Sequence, residues 1–170
     1  MKHLILGGAR SGKSRLAEQQ ATASAKQVIY IATAHAGDEE MAQRIHRHQQ
    51  QRPEDWLLVE QQLYLADSLL KHDSADHCLL VDCLTLWLCN LLCLNDEPLF
   101  KRQRQKFLEV LPQLQADVLL VSNEVGQGIV PEGELNRRFI DESGWLHQAV
   151  AEHCTKVSWV MAGLPMSLKG

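Results

Sequence analysis

Near its start the chain carries a glycine-rich octapeptide that follows the apolar run Leu4–Leu6. It matches the pattern G-x-x-x-x-G-K-[ST] at every fixed position, and a segment rich in helix-forming residues follows it. In this pattern the glycines let backbone N–H groups converge on phosphate oxygens, the lysine reaches the β and γ phosphates, and the hydroxyl ligates Mg²⁺. A glycine-rich turn can match by chance, but the flanking strand and helix favour a phosphate-binding loop. The residues expected to contact a nucleotide here are Gly7, Gly8, Ala9, Arg10, Ser11, Gly12, Lys13 and Ser14.

Two carboxylates follow apolar segments and are candidates for binding the metal ion that accompanies a nucleotide. Asp82 ends the run Cys78–Val81 in the manner of a Walker B aspartate. Because Mg²⁺ needs few protein oxygens, Asp82 and Ser14 together would suffice as its ligands. The alternative is that Asp82 caps the helix expected near Leu84, since aspartate is a favoured N-cap residue. Glu60 follows a weaker strand, and its role stays open.

A basic segment between residues 44 and 53 places a histidine among arginines. On a helix, Arg44, His48 and Arg52 share one face, because residues four apart are neighbours. Neighbouring positive charge lowers the pKa of a histidine and keeps a ring nitrogen available as a nucleophile. The guanidinium groups can also hold the phosphate that such a nucleophile attacks. The simpler interpretation is a solvated basic helix face, and residue types alone leave both interpretations open.

The elements that must position these residues alternate along the chain. Apolar and β-branched runs predict strands at 27–33, 56–60, 77–82, 117–122 and 156–161, in addition to the one before the octapeptide. Helices are predicted at 15–25, 38–51, 63–71, 84–94, 99–114 and 132–153, with a short tail from residue 163. The first strand–helix–strand unit predicts a parallel pair. The whole alternation predicts a P-loop NTPase-like (RecA-like) three-layer α/β/α domain with a mostly parallel sheet.

In such sheets ligands bind outside the carboxyl ends of the strands, so the segments just past each strand form the expected site. The Asn123–Pro131 loop has two glycines that would allow close backbone approach, although an ordinary connection is the simpler interpretation of this loop alone. Among the histidines outside the basic segment, only His35 lies in a candidate loop, and the others receive no role. The candidate segments are Gly7–Ser14, Thr33–Asp38, Glu60, Asp82–Thr85 and Asn123–Gly128.

Length and composition narrow the class of protein. A chain of 170 residues with 45% hydrophobic and 22% charged residues is expected to form one soluble domain spanning 1–170. The net charge of −4 and the pI near 6.0 give no electrostatic reason to expect a nucleic-acid partner. No apolar run has the length of a membrane span, and the early phosphate loop leaves no room for a signal peptide, so a cytoplasmic location is expected. Five cysteines without a C-x-x-C pair do not indicate a structural metal site.

Several motifs taken together resemble one enzyme family, and the resemblance extends over almost the whole chain. The most specific motif is the run Asn-Glu-Val-Gly-x-Gly-Ile-Val-Pro at Asn123–Pro131. The others, besides the phosphate loop, are Tyr30-Ile31-Ala32-Thr33, Glu39-Glu40-Met41 before Arg44-Ile45 with His48 and Arg52-Pro53, Trp56 with Glu60, and Asp82-Cys83-Leu84-Thr85 before Asn90-Leu91-Leu92. The chain resembles the bifunctional adenosylcobinamide kinase / adenosylcobinamide-phosphate guanylyltransferases of cobalamin assembly.

The resemblance implies two consecutive reactions. ATP or GTP phosphorylates the aminopropanol hydroxyl of adenosylcobinamide, a corrinoid. GTP then transfers GMP through a covalent guanylyl-histidine to that phosphate, which releases pyrophosphate and gives adenosylcobinamide-GDP. The resemblance also implies a homotrimer, and it adds nucleotide contacts to those of the phosphate loop. These added contacts are Ala32, Thr33, Ala34, Gln49, Gln50, Gln51, Arg52, Glu60 and Asp82.

The nucleophile of the family lies in an H-x-x-x-R-P pattern, which falls on His48 here. Some relatives carry two adjacent histidines, whereas this chain has His46-Arg47-His48, so His46 stays as the fallback. Two competing hypotheses remain. One is a monofunctional small-molecule kinase in which His48 lies on an idle basic helix, and the other is a non-enzymatic nucleotide-binding module.

Overall fold

The computed structural model describes residues 1–34, 53 and 55–170. Along these residues, strands and α-helices alternate, and a short 3₁₀ helix occupies Leu111–Gln113. The strands are β1 Lys2–Gly7, β2 Gln27–Ala32, β3 Leu57–Glu60, β4 His77–Asp82, β5 Asp117–Asn123, β6 Lys156–Met161 and β7 Leu164–Lys169. The helices are α1 Lys13–Ala23, α2 Leu65–Lys71, α3 Leu84–Cys93, α4 Glu97–Val110 and α5 Glu134–His153.

The seven strands form one sheet in the order β3-β2-β4-β5-β1-β6-β7. Neighbouring strands are parallel except for β6 and β7, which are antiparallel. Strands β1 and β2 run parallel as predicted, but they are not neighbours, because β4 and β5 lie between them. A strand–helix–strand unit determines that its two strands run in the same direction, but later strands can insert between them.

Alternate residues of the central strands enter two separate apolar cores on the two faces of the sheet. Leu4 is buried in the larger core together with side chains of α2, α3, α4 and α5, where the rings of Trp87 and Phe107 lie 5.1 Å apart. Ile5 is buried on the opposite face, where α1 packs through Ala17 and Ala21. This arrangement, which follows from the period of two along a strand, gives the predicted three layers.

Most predicted elements are present with small shifts of their bounds, and His77–Asp82 and Lys156–Met161 agree at both ends. Helix α4 begins two residues before its predicted start, because the Asp96 carboxylate accepts the Leu99 N–H at 2.9 Å and caps it. The prediction of a tail from residue 163 was wrong, since β7 follows a two-residue turn at Ala162 and Gly163. Both turn residues have positive φ, 53° and 78°, as a type I′ hairpin turn requires.

The helix predicted at 38–51 falls outside the described residues. Among the helices that the structure describes, none combines the length and the apolar composition needed to cross a membrane.

Candidate functional site

The phosphate loop joins β1 to α1, and the two fixed glycines of its motif are needed for different reasons. Gly12 has a φ of 99°, in the region that favours glycine, and α1 begins directly after it at Lys13. Gly7 is needed for space, because a Cβ there would lie 2.5 Å from the carbonyl oxygen of Val160. The Ser11 N–H donates to the Gly8 carbonyl at 3.3 Å, and residues 8–10 are exposed. The outer side of the loop is therefore accessible to a ligand.

Lys13 lies in the first turn of α1 and is buried against the phosphate loop. Its Nζ donates to the Gly8 carbonyl at 2.9 Å. Burial lowers the pKa of Lys13, while the nearby Cys83 and Asp82 act in the opposite direction. Because an ammonium group has three N–H donors, two remain for other acceptors such as phosphate oxygens.

The turn between β6 and β7 supports the phosphate loop from one side. The Gly163 N–H donates to the Ser11 carbonyl at 2.8 Å. A Cβ added to Gly12 would lie 3.1 Å from the Gly163 Cα, so the two backbones are in close contact. The carboxyl-terminal hairpin thus helps to determine the shape of the loop, which the sequence pattern of the loop does not reveal.

Asp82 ends β4, two strands away from β1, and its Oδ2 accepts a hydrogen bond from the Tyr30 hydroxyl at 3.1 Å. The N-cap residue of α3 is Cys83, so Asp82 does not occupy the capping position. Burial, followed by the charge of Asp82, raises the pKa of the Cys83 thiol to about 11, which keeps this thiol neutral and excludes it as a thiolate.

The oxygen donors at this edge of the sheet fit Mg²⁺. The carboxylate of Asp82 and the hydroxyl of Ser14 supply hard oxygen donors. Asp82 is close enough to Lys13 for its charge to oppose the lowering of the Lys13 pKa by burial, and Ser14 follows Lys13 in the sequence. Within the described ranges there is no group of three or more His, Cys, Asp or Glu residues that could hold a metal ion by themselves. Two oxygens are appropriate for Mg²⁺, which keeps several waters and binds substrate phosphates.

The end of β2 is bonded to the start of α3 and to the segment after β3. The Thr33 hydroxyl donates to the Cys83 carbonyl at 2.7 Å and accepts the Cys83 N–H at 2.8 Å. The Asn90 side-chain amide donates to the carbonyls of Thr33 and Gln62 at 2.8 and 3.2 Å. Thr33 is fully buried, so its surroundings indicate a positioning role, and its contact with a nucleotide stays a prediction. Ala32 and Ala34 are half-buried on either side of it.

Glu60 is exposed at the end of the edge strand β3 and pairs in register with Ala32. Four strand spacings separate β3 from β1, which is about 19 Å at the usual spacing of about 4.8 Å. The structure therefore does not bring Glu60 to the phosphate loop. A contact between Glu60 and a nucleotide would have to involve a part of the ligand other than its triphosphate tail.

The Asn123–Pro131 loop begins next to the phosphate loop, at the end of β5. The Glu124 N–H donates to the Gly7 carbonyl at 3.1 Å, and the Glu124 carboxylate accepts the Gly126 N–H at 2.6 Å. From Gly126 onward the loop is exposed. The structure thus brings together the predicted segments Gly7–Ser14, Asp82–Thr85 and Asn123–Gly128 at one edge of the sheet, as expected.

The predicted nucleophile His48 lies outside the described residues, together with its fallback His46 and with His35. The same holds for the implied nucleotide contacts Gln49, Gln50, Gln51 and Arg52. The roles of these residues stay predictions.

Sequence reasoning missed a buried polar group beneath the Asn123–Pro131 loop. His147, which received no role, extends from α5 toward Ser122 and Glu124. Its position could have been predicted from the spacing Ser143, Leu146, His147 and Val150, which places it on the buried face of α5. The residues that its ring faces could not have been predicted, because they come from β5 and from the loop after β5, which are distant in the sequence.

A family model described as cobinamide kinase / cobinamide phosphate guanyltransferase matches residues 3–168. The bifunctional adenosylcobalamin biosynthesis protein CobP of Pseudomonas aeruginosa is 56% identical over 170 residues, which cover 100% of this chain and 98% of that protein. The bifunctional adenosylcobalamin biosynthesis proteins CobU of Salmonella typhimurium and Escherichia coli are 39% and 36% identical, over 99% of this chain and 100% of each relative.

Two solved structures share the fold at low sequence identity. The RadB recombinase aligns with a TM-score of 0.50 and 18% identity, over 93% of this chain and 73% of the recombinase chain. The ATPase domain of a second protein aligns with a TM-score of 0.50 and 15% identity, over 93% of this chain and 68% of that chain. Together with the mostly parallel sheet, these similarities confirm the prediction of a RecA-like P-loop fold.

Proposed function

Because the chain belongs to the family described as cobinamide kinase / cobinamide phosphate guanyltransferase, we propose that it makes adenosylcobinamide-GDP in two reactions. ATP or GTP first phosphorylates the aminopropanol hydroxyl of adenosylcobinamide. GTP then donates GMP to the new phosphate, and pyrophosphate leaves. The corrinoid and the nucleotides are therefore the small-molecule partners of this protein.

The observation that carries this proposal is the geometry of the phosphate loop. The N-terminus of α1, the exposed backbone at 8–10 and the Lys13 ammonium converge on one region beside Asp82. Unpaired N–H groups at a helix N-terminus and a lysine charge are the features that bind a polyphosphate. A triphosphate held there would lie at the carboxyl ends of β1, β5 and β4.

In the kinase reaction the residues of the loop hold the triphosphate and lower the charge that develops on its oxygens. The Lys13 ammonium donates to the β and γ phosphate oxygens, and the loop N–H groups replace the water that these oxygens lose. Ser14 and Asp82 would hold Mg²⁺, which, when bound, neutralises charge on the phosphates and keeps them in line. The substrate hydroxyl oxygen then attacks the γ phosphorus and loses its proton to solvent, the bond to the bridging oxygen breaks, and the nucleoside diphosphate leaves.

In the second reaction we assign the nucleophile to His48, from the family pattern. A ring nitrogen attacks the α phosphorus of GTP, the bond to the bridging oxygen breaks, and pyrophosphate leaves. A phosphate oxygen of the corrinoid then attacks the same phosphorus and releases the histidine. Two in-line displacements thus replace one transfer between two bulky anions. The loop residues and Lys13 would hold the leaving pyrophosphate in this step.

Incubation with GTP labelled at its α phosphorus tests the second reaction. We expect a protein–GMP adduct that is labile in acid and stable in alkali, and we expect His48→Ala to abolish it while His46→Ala retains it. A wild-type protein that never acquires label, yet phosphorylates adenosylcobinamide, would be a monofunctional kinase. Label that persists in His48→Ala and disappears in His46→Ala would move the nucleophile to His46.

We further propose that the chain folds as one domain over 1–170, acts in the cytoplasm and assembles as a homotrimer. Nucleoside triphosphates are cytoplasmic metabolites, which supports the location. Exposed apolar side chains on β7 support an assembly, because large exposed apolar patches mark protein interfaces.

A further inference from the structure

His147 is a buried histidine that no reaction step above uses. It lies on α5, and only 7% of its surface is exposed. Its Nε2 lies 2.7 Å from the Ser122 Oγ, which lies 3.1 Å from the Thr85 Oγ1. The Thr85 Oγ1 in turn accepts the Asn123 N–H at 2.6 Å. A chain of hydrogen bonds therefore connects α5 to the end of β5, beside the phosphate loop.

The other ring nitrogen of His147 faces a carboxylate. Its Nδ1 lies 3.6 Å from the Glu124 Oε2, and no described residue hydrogen-bonds it. The tautomer with the proton on Nδ1 suits this position, because a bare lone pair would repel the carboxylate. Ser122 can then donate its hydroxyl proton to Nε2, and Thr85 can donate to Ser122. With this tautomer, Thr85 donates to Ser122 and Ser122 donates to His147, so each of these hydrogen bonds has one donor and one acceptor.

Glu124 connects this series of hydrogen bonds to the nucleotide site. Its backbone N–H is bonded to Gly7, the first residue of the phosphate loop, at 3.1 Å. Its Oε1 accepts the Gly126 N–H at 2.6 Å, and a Cβ on Gly126 would lie 3.0 Å from that same oxygen. The orientation of one carboxylate thus determines where the exposed loop leaves the sheet.

The order Ser–His–Glu is also that of a hydrolase triad, but burial excludes a nucleophilic role. Ser122 is fully buried, so no substrate carbon or phosphorus can reach its Oγ. Glu124 is likewise occupied, since one oxygen receives the Gly126 N–H and the other faces His147. The role that remains for Ser122, His147 and Glu124 is to hold the Asn123–Pro131 loop in position.

We propose that His147 is a positioning residue for the nucleotide reactions: through Nδ1–H it orients the Glu124 carboxylate, which holds Gly126 and the loop beside the phosphate loop. This inference rests on the proposed function, because the ligand that the loop faces is the nucleoside triphosphate. The contact with Glu124 is an electrostatic one at 3.6 Å. Residues that orient a metal-binding side chain typically change activity 10- to 100-fold when they are replaced, and we expect an effect of the same order here.

Two substitutions separate the two contacts of the ring. In His147→Asn the side-chain amide nitrogen takes the place of Nδ1 and keeps a donor toward Glu124. In His147→Gln the amide takes the place of Nε2 and keeps only the contact with Ser122. We expect His147→Gln to lower kcat of the kinase reaction about 10-fold or more with little change in KM, and His147→Asn to restore most of it. His153→Asn, exposed on the same helix, is the control.

The loss of kcat caused by His147→Gln should disappear when the Glu124 carboxylate is removed. In a Glu124→Gln background, His147→Gln should cause no further loss, since the ring would act only through the carboxylate. If His147→Gln lowers kcat equally in the wild-type and Glu124→Gln backgrounds, the proposal is overturned. It is also overturned if His147→Asn and His147→Gln lower kcat equally and in proportion to a lowered Tm, since His147 would then be only a structural residue.

Two measurements keep the proposal testable if a variant does not fold. In the wild-type protein, nitrogen NMR of the His147 ring should show the proton on Nδ1, and a proton on Nε2 alone would refute the assignment. The Gly126 amide should be protected from hydrogen exchange with GMP-PNP and Mg²⁺ bound. An unprotected Gly126 amide would contradict the contact with Glu124. If the wild-type protein carries out neither nucleotide reaction, the proposed function fails, whereas the tautomer still shows whether His147 presents a proton to Glu124.

Discussion

Lys13 is the residue whose surroundings are best suited to a polyphosphate. Its ammonium is buried, lies 2.9 Å from the Gly8 carbonyl oxygen and has Asp82 nearby. We expect Lys13→Met, which keeps the apolar stem, to lower kcat/KM of both reactions by about 100-fold or more, the usual cost of losing one charge-stabilising group. Pyrophosphate release and corrinoid phosphorylation measure the loss. Lys71→Ala, at an exposed position, should retain full activity, and an active Lys13→Met would contradict the assignment.

His3 should make the stability of the protein depend on pH. It is buried in β1, with Nδ1 2.7 Å from the Gln20 Oε1 and Nε2 2.8 Å from the Ser158 Oγ. Burial lowers the pKa of His3 below its ordinary value of 6.5; the Gln20 hydrogen bond opposes this shift, and the Lys156 charge adds to it. The unfolded chain therefore binds the proton more readily than the folded protein, so stability should fall as the pH falls through about 6.5.

Urea unfolding at a series of pH values measures this dependence. Well above pH 6.5 the ring is neutral in both states, and the free energy of unfolding should be independent of His3 protonation. His3→Gln removes the titrating group, so its stability should decline less steeply than that of the wild type between about pH 6.5 and 5. His72 and His147, whose pKa values burial also lowers, leave a residual slope. Identical slopes in the two proteins would exclude His3 as a cause.

The residues of the site were predictable from the sequence only where they lie close together in the sequence. Gly7, Gly12 and Lys13 belong to one short motif whose spacing determines its geometry, and the structure has them in the expected places. His147 and Ser122 are 25 positions apart, and their contact depends on how α5 lies against β5. No periodicity in the sequence specifies that contact, because burial of a helix face is compatible with many partners.

Among the elements, the β6–β7 hairpin is the one on which the phosphate loop depends most directly. Gly163 has a φ of 78°, its N–H holds the Ser11 carbonyl, and a Cβ there would lie 3.1 Å from the Arg15 Nη2. We expect Gly163→Ala to destabilise the protein by about 1–2 kcal/mol, the cost of a left-handed conformation for an L residue, and to weaken nucleotide binding. Thermal unfolding and titration with Mg²⁺ and GMP-PNP measure the two effects.

Gly144→Ala is a matched control for that experiment. Gly144 lies within α5, and a Cβ there would have no neighbour within 4 Å. Because alanine is a better helix former than glycine, this variant should gain up to about 1 kcal/mol and bind nucleotide normally. If Gly163→Ala loses stability but binds GMP-PNP as the wild type does, the hairpin supports the fold and not the loop.

The sequence predicted the buried strands better than the edge of the sheet. His77–Asp82 is a continuous apolar run with charged or polar ends, which has few interpretations other than a buried parallel strand. In β7 the apolar residues Leu164, Met166 and Leu168 alternate, which is a strand signal, but Pro165 obscured it. Proline is compatible with an edge strand, and β7 is at the edge.

At the scale of the whole molecule, both edges of the described sheet expose apolar side chains, and the β7 edge exposes them more. At the β7 edge, Met161, Leu164 and Leu168 are exposed by 60%, 72% and 60%. In the opposite edge strand β3, Leu57 and Leu58 are exposed by 47% and 38%. An exposed edge strand with apolar side chains favours association, because its backbone N–H and C=O groups are also unpaired on one side. We therefore assign the contact between subunits of the proposed homotrimer to the β7 edge.

Light scattering coupled to gel filtration tests this assignment. The wild-type protein should elute as a trimer, and the double variant Leu164→Lys and Leu168→Lys should elute as a monomer, because burying two lysines in an apolar interface carries a large desolvation cost. Leu57→Lys on the opposite edge is the control and should remain trimeric. A trimeric double variant would place the interface elsewhere, and a monomeric wild type would contradict the trimer itself. Since the β7 hairpin also supports Ser11, a folded monomer should bind Mg²⁺ and GMP-PNP more weakly than the trimer does.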